Sequence, residues 1–307
     1  MVNGYHTPVL VDDVLRFLIT RPAGVYVDAT VGGGGHAEAL LHRISASGQL
    51  IGFDVDADAI AHSTKRLEVF ADRCVLLRAN YSMLQEELSR MNIPIVNGIL
   101  FDLGVSSFQL DEPEKGFSFR RNERLDMRMD RRQKLDARLL LASADSQEIE
   151  RIFRDYGEEH LWRRLARALV EGRKRKAIET TGEFVSIVVP VVGNRAKSLA
   201  RIFQALRIAV NDELENLRRA LRQAVEVLSV GGRIVVISYH SLEDRIVKDF
   251  LKEEARTRIP SRTKLVPDED RVPRIRILTK KPVVATATEI RQNRRARSAK
   301  LRAGERV

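Results

Sequence analysis

The chain has 307 residues, a net charge of +11 and a pI near 10.0, with 53 Lys plus Arg against 42 Asp plus Glu. A hydrophobic fraction of 44% and mean hydropathy of -0.24 describe a soluble globular protein with room for one large domain and a smaller one, and the basic excess points to a polyanion, most simply nucleic acid. The longest apolar run, Val185 to Val192, is broken by Pro190 and excludes a spanning helix; the single Cys74 excludes a disulfide framework and a cysteine metal centre; MVNGYHTPVL lacks the regions of a signal peptide. A cytoplasmic protein without a resident metal is the expectation.

The first element, VYV (Val25 to Val27), reads as a strand and ends in Asp28. It runs into VGGGGH, where four glycines exceed what a packed turn needs and suit a ligand brought against the backbone. A phosphate-binding P-loop would need Lys-Ser/Thr where His36 and Ala37 stand. A dinucleotide fingerprint fits Gly32, Gly34 and Ala37, and an S-adenosylmethionine loop fits Asp28, Gly32 and Gly34, with Thr30 replacing its first glycine. The acid at the strand tip favours the second, because that cofactor carries an ammonium whereas a dinucleotide brings a pyrophosphate that an acid repels.

Next comes QLIGFD (Gln49 to Asp54), a strand ending in an acid about 20 residues past the loop, where such folds hold ribose hydroxyls. Asp56 and Asp58 open the following helix. CVLLRA (Cys74 to Ala79) and GILFD (Gly98 to Asp102) are strands three and four, and GGRIVVIS (Gly231 to Ser238) is strand five. Strands four and five are separated by about 130 residues, where one crossover needs about 30. Residues 110–208 therefore form an inserted helical domain, flanked by 1–109 and 209–307 as the α/β Rossmann-like domain, and its basic clusters make it the candidate for substrate recognition. Within the insert Leu161, Leu165 and Leu169 form an apolar stripe, with Arg163, Arg164 and Arg167 off it, and Thr180 with Glu183 is spaced as a capping box. A helix around Asn211 to Leu228 returns to the sheet. IRILTKK and SAKLR supply two further edge strands joined by a loop. Three basic clusters, RRNER from Arg120, RKRK (Arg173 to Lys176) and Arg291 to Arg302, are candidate RNA contacts.

Ligands of open α/β sheets lie beyond the carboxyl ends of the strands. Those ends offer Asp102, Ser106, Ser107 and Gln109 after strand four, and Tyr239, His240, Ser241, Glu243 and Asp244 after strand five. Ser241 with Asp244 looks like a helix cap. Three functions remain open on these residues: an RNA methyltransferase, an NAD-dependent oxidoreductase, and a non-catalytic RNA-binding protein on the same fold.

The motifs HTPVLVDDVL, GGGGHAEALL, GFDVDADAI, DLGVSSFQLD, GFSFR with LDMRMD, YGEE, FQALRIAVNDEL, ISYHSLEDRIVK and RARSAKLR occur in order from His6 to Arg302. Together they resemble the bacterial 16S ribosomal RNA cytosine-N4 methyltransferase family RsmH (MraW). The resemblance implies a Rossmann-like class I methyltransferase domain with a helical insertion, S-adenosylmethionine as cofactor, and a decoding-region cytosine of 16S rRNA within the small ribosomal subunit as target. It implies cofactor contacts at Gly34, Gly35, His36, Asp54, Tyr81, Asp102 and Gln109. Tyr81 stands where phenylalanine is common in the family, and Phe108 where many members have proline. A cytosine amine is a poor nucleophile, so the site needs a proton acceptor and a means of alignment. Asp102 is the candidate acceptor, in place of the Asp/Asn-Pro-Pro-aromatic motif of other amine methyltransferases, and His240 the candidate for positioning the base.

Overall fold

The computed structural model describes residues 8–105, 112, 115–259 and 268–307. From the N-terminus, helix α1 (Val11–Leu18) precedes β1 (Val25–Asp28), α2 (Gly35–Arg43), β2 (Gln49–Phe53), α3 (Ala57–Arg66), β3 (Cys74–Leu77), α4 (Leu84–Arg90) and β4 (Val96–Asp102). Helices α5 (Ala137–Ser143), α6 (Ser146–Arg151), α7 (Trp162–Arg175), α8 (Thr181–Val192) and α9 (Ala196–Asn211) follow. Helix α10 (Glu213–Val227) leads into β5 (Leu228–Ser238) and α11 (Ser241–Glu254). The short pair β6 (Arg258–Ile259) and β7 (Glu269–Asp270) comes next, then β8 (Ile275–Ile277), β9 (Val283–Val284), α12 (Ala287–Gln292) and β10 (Lys300–Arg306).

Two compact units result, Met1–Gly104 with Leu214–Val307, and Val105–Glu213. The second division falls beyond 208/209 because α9 runs unbroken to Asn211, and Asp212, left-handed at φ 49, is the residue that stops it.

In the first unit β3, β2, β1, β4 and β5 lie side by side in that order, all parallel. Each strand buries alternate residues on opposite faces, as the two-residue period requires. Ile99 and Phe101 of β4 join Ile234 and Val236 of β5 in a core with Leu217 and Leu221 of α10. Leu100, Val235 and Ile237 point the other way, into a core with Val14 and Leu18 of α1 and Leu40 and Leu41 of α2. Helices thus cover both faces, and the strand order reverses at β1, flanked by β2 on one side and β4 on the other. Such a switch point opens a crevice at the carboxyl ends of the strands.

The C-terminal strands correct the expectation of two edge strands joined by a loop. β10 lies inside the sheet, antiparallel to β5 on one side and to β8 and β9 on the other. Its Leu301 and Ala303 are fully buried, and β9, α12 and a 3-10 turn (Arg294–Ser298) occupy the connection. Residue alternation alone does not distinguish an edge from an interior strand, since pairing on the second side depends on distant sequence.

The second unit is held by Phe153, Leu165, Leu169, Phe184 and Phe203, with Leu125 and Met127 from the segment before α5. Thr180 and Glu183 form the expected capping box at the start of α8. The NDEL and LDMRMD motifs meet here: Asn211 donates to Met127 O at 2.8 Å and accepts the Met129 N–H at 2.8 Å. Arg128 and Asp126 close that segment with a 2.7 Å ion pair.

Candidate active site

The glycine loop leaves β1 with Gly32 at φ 49 and Gly34 at φ 77, conformations that side-chain-bearing residues seldom adopt. Gly34 is the residue before α2, and no side chain caps the helix there, so the first N–H groups of α2 remain available to an anion. The loop is fixed from outside. Asp54 accepts the Gly32 N–H at 2.9 Å through one oxygen and the Asp56 N–H at 2.9 Å through the other. The Ser63 hydroxyl donates to Gly32 O at 2.6 Å, and Arg66, paired with Glu38, donates to Gly33 O. Asp54 therefore shapes the loop as well as closing β2, a second role that its position at a strand tip does not reveal.

Thr30, which replaces the first glycine of the loop pattern, accepts the Asp102 N–H on its hydroxyl at 2.6 Å. It ties the end of β1 to the end of β4. This brings together a buried group from three adjacent strands and one helix. Asp28, at 1% exposure, accepts the Thr30 N–H at 3.1 Å through Oδ1, while Oδ2 has no hydrogen-bond partner among the described residues. Burial pushes its carboxyl up to about 7, and the neighbouring His36 imidazole acts against that rise.

His36, in the first turn of α2, is 6% exposed, and neither ring nitrogen is hydrogen-bonded among the described residues. Its Nε2 stands 3.4 Å from Asp102 Oδ2, ion-pair range without hydrogen-bond alignment. Burial acts to lower the imidazole pKa, but the Asp102 and then the Asp28 carboxylate outweigh it and hold it above its ordinary value. On its other oxygen, Asp102 accepts the Tyr239 hydroxyl at 2.8 Å. Burial and then the Asp102 charge push the Tyr239 phenol well above 10, so it stays a donor. Two carboxylates, an imidazole and a phenol thus share a buried, crowded site.

Tyr81 opens a 3-10 turn, half-buried, its ring edge-on to Phe101 at 5.8 Å. Gln109, Ser106 and Ser107 lie outside the described residues. His240 follows β5, but its side chain is engaged locally. It is the N-cap of α11, its Nδ1 accepting the Glu243 N–H at 3.4 Å and its Nε2 lying 3.1 Å from Glu243 Oε1. Glu243 completes the box by accepting the Tyr239 and His240 N–H groups. The cap is therefore His240 with Glu243, not Ser241 with Asp244. Asp244 instead binds Arg302 at 2.6 Å and Lys300 at 3.5 Å.

That pairing also divides the C-terminal basic cluster. Arg302 is 8% exposed, inside the sheet, and is a structural residue, whereas Arg294 and Arg297 are exposed. RKRK divides likewise, for Arg173 donates to the Leu141 and Ala144 carbonyls and Lys174 and Lys176 pair with Glu171 and Glu183. Thr30 and Ser63 escaped the sequence reading. Thr30 carried a visible signal, a hydroxyl where the loop pattern asks for glycine; Ser63 carried none.

The MraW methylase family model matches residues 3–307. A protein of Heliobacterium modesticaldum named ribosomal RNA small subunit methyltransferase H is 46% identical over 309 residues, covering 99% of each chain. One of the same name from Carboxydothermus hydrogenoformans is 45% identical over 306 residues, covering 98% of each. A solved rRNA methylase from Streptococcus thermophilus aligns over 97% of this chain and 93% of its own, at 11% identity and a TM-score of 0.42.

Proposed function

The chain belongs to the MraW methylase family, and from that membership we propose that it transfers a methyl group from S-adenosylmethionine to the exocyclic N4 of a cytosine in the decoding region of 16S ribosomal RNA. The observation that supports this most is the set of orphaned polar atoms at the switch point: Asp28 Oδ2 and both nitrogens of His36, all buried. Leaving such groups unpaired costs roughly 1–3 kcal/mol each, and the residues present suit the cofactor that would pair them. Asp28 would face the ammonium, and the N–H groups of Gly35 and His36 in the first turn of α2 the carboxylate. Asp54 would take the ribose hydroxyls, Tyr81 and Gln109 the remainder of the nucleoside side, and Asp102 the reacting end. A dinucleotide would set its pyrophosphate against the buried Asp28.

When bound, S-adenosylmethionine supplies an electrophilic methyl whose sulfur departs as a neutral thioether. The protein's part is alignment and proton removal. As the N4–carbon bond forms, the amine becomes cationic and must lose a proton. Asp102 Oδ2 accepts it, while the Tyr239 hydroxyl holds Oδ1 and so sets which oxygen faces the amine. His240, engaged in its cap, acts as a positioning residue: with Glu243 it fixes the start of α11 and the backbone of Tyr239. The cytosine must be unpaired or flipped to enter, the exposed Arg294 and Arg297 are offered to the RNA backbone, and recognition of the RNA is assigned to the second unit. The reading takes the 16S RNA within the small ribosomal subunit as the substrate.

Calorimetry with S-adenosylmethionine and with NAD tests the cofactor, with binding of the first alone expected. Methylation of naked 16S RNA and of small subunits, followed by mass spectrometry of the digested RNA against chromatographic standards, tests the product. N4-methylcytosine is expected, with the subunit as the better substrate; a ring-methylated base would overturn the assignment.

A further inference from the structure

Helix α7 begins Trp162-Arg163-Arg164 and carries Arg167 one turn on. Its buried face is Leu165, Ala166 and Leu169, and the three arginines stand exposed off that face. None of the three has an ion pair or hydrogen bond among the described residues, in contrast to Arg173, Lys174 and Lys176 at or just beyond the end of the same helix. Nor does the first turn contain an acid. Cations there oppose the helix dipole at a cost of roughly 0.3–1 kcal/mol each, so stabilisation of the helix does not explain them.

The arginines are also arranged. The Arg163 guanidinium lies over the Trp162 ring at 4.2 Å from its centroid, and that of Arg154, itself paired with Asp155, at 5.5 Å. Beside them Arg151 lies over the Tyr156 ring at 5.7 Å. Arg154 and Tyr156 lie within a π-helical turn, Ile152–Tyr156, with Arg151 just before it and Trp162 and Arg163 beyond it, and the YGEE motif explains how they are held. Glu159 is buried and accepts the Leu161 N–H at 3.0 Å while facing Arg201, which anchors the entry to α7. The result is an exposed surface of planar guanidinium groups over half-buried rings, next to unpaired positive charge.

We propose that this surface, Arg151, Arg154, Trp162, Arg163, Arg164 and Arg167, docks an unpaired stretch of the substrate RNA, its bases stacking on the guanidinium–aromatic faces and its phosphates meeting Arg163, Arg164 and Arg167. The proposal rests on the reading of RNA as substrate. Flat cationic faces suit exposed bases, which an unpaired strand offers and a duplex does not. Compact charge without such faces would suit any polyanion.

Trp162 is the one tryptophan of the chain, so its fluorescence reports on this surface alone. Titrating the full chain with an unpaired oligoribonucleotide should quench it to saturation, whereas the same sequence as a duplex, or heparin, should leave it nearly unchanged. The triple variant Arg163→Gln, Arg164→Gln, Arg167→Gln should bind the unpaired RNA at least about tenfold more weakly. Its salt slope should fall by about 2, from roughly 0.7 per phosphate contact on a single strand. S-adenosylmethionine affinity and thermal unfolding should stay as in the parent. Equal quenching by heparin, or an unchanged affinity and slope in a parent-like fold, would overturn the docking surface while methyl transfer by the parent protein upheld the RNA reading. A parent protein that neither binds nor methylates RNA would overturn that reading and this surface with it.

Discussion

Two clusters of ionisable side chains use charge in opposite ways. At the strand tips Asp28, His36 and Asp102 are few, buried and mutually dependent, and the desolvated carboxyl of Asp28 is pushed up to about 7. On α7, Arg163, Arg164 and Arg167 are exposed, with no ion pair or hydrogen bond among the described residues. A charge in the first region is felt strongly because low dielectric amplifies every interaction; one in the second acts chiefly on a partner that brings counter-charge and expels ions. Density in sequence does not separate the two uses. RKRK is the densest basic run, yet Arg173 closes the end of α5, whereas the spaced arginines of α7 have no ion pair or hydrogen bond among the described residues.

The sharpest way to break this contrast is Asp102→Ala. If the strand-tip carboxylate accepts the amine proton, kcat should fall about 10²-fold or more at saturating cofactor and RNA, a loss that concentration cannot restore. Single-turnover methyl transfer measures it, and full activity at high cofactor would reduce Asp102 to a binding group.

A second test asks whether basic residues divide as described. Arg302→Met removes the partner of Asp244 inside the sheet and should lower unfolding free energy by about 2–3 kcal/mol, short of the roughly 3–5 of a fully buried pair because Lys300 remains. Urea denaturation reads this out. Arg294→Gln with Arg297→Gln should leave the midpoint in place and lower only the salt dependence of RNA binding. Should both variants unfold alike, the division of the C-terminal cluster would fail.

Asp54→Ala should weaken S-adenosylmethionine by about 1–3 kcal/mol through the lost acceptor, with Asp54→Asn intermediate because its amide oxygen still receives one loop N–H. Calorimetry distinguishes them, and unchanged affinity in the alanine variant would remove Asp54 from the site.

A further test of the buried region is in pH. The Asp28 carboxyl is raised in the fold from 3.8 to about 7, so the native state binds more protons than the unfolded chain between those values and stability falls as pH rises through that window. His36, also raised, acts in the same direction: its contribution is present below the unfolded pKa and is lost as pH climbs through the folded one. The thermal stability of cofactor-free parent protein relative to Asp28→Asn should therefore decline between about pH 4 and 7. A difference that rises across the window would contradict the buried carboxyl.

Much of this molecule was readable from local pattern. Strand periodicity, Gly32 and Gly34 after a strand, Asp54 about 20 residues beyond the loop and the Thr180–Glu183 box depend on neighbours within a few turns of chain, so sequence by itself determined them. It also determined that something long interrupts the sheet between β4 and β5. Other features were settled only when distant segments met. His240 took the cap from Ser241, because Nδ1 of one residue and the Glu243 backbone came within reach where β5 turns into α11. β10 entered the sheet because β5 and β8 presented two open edges to it, and this turned Arg302 from a candidate RNA contact into the buried partner of Asp244. Thr30, Asp102 and Tyr239 are far apart in the chain and adjacent in space, since parallel strands align their carboxyl ends irrespective of separation in sequence. Hydrogen bonds act over about 3 Å, and which groups lie that close is a property of the packed fold.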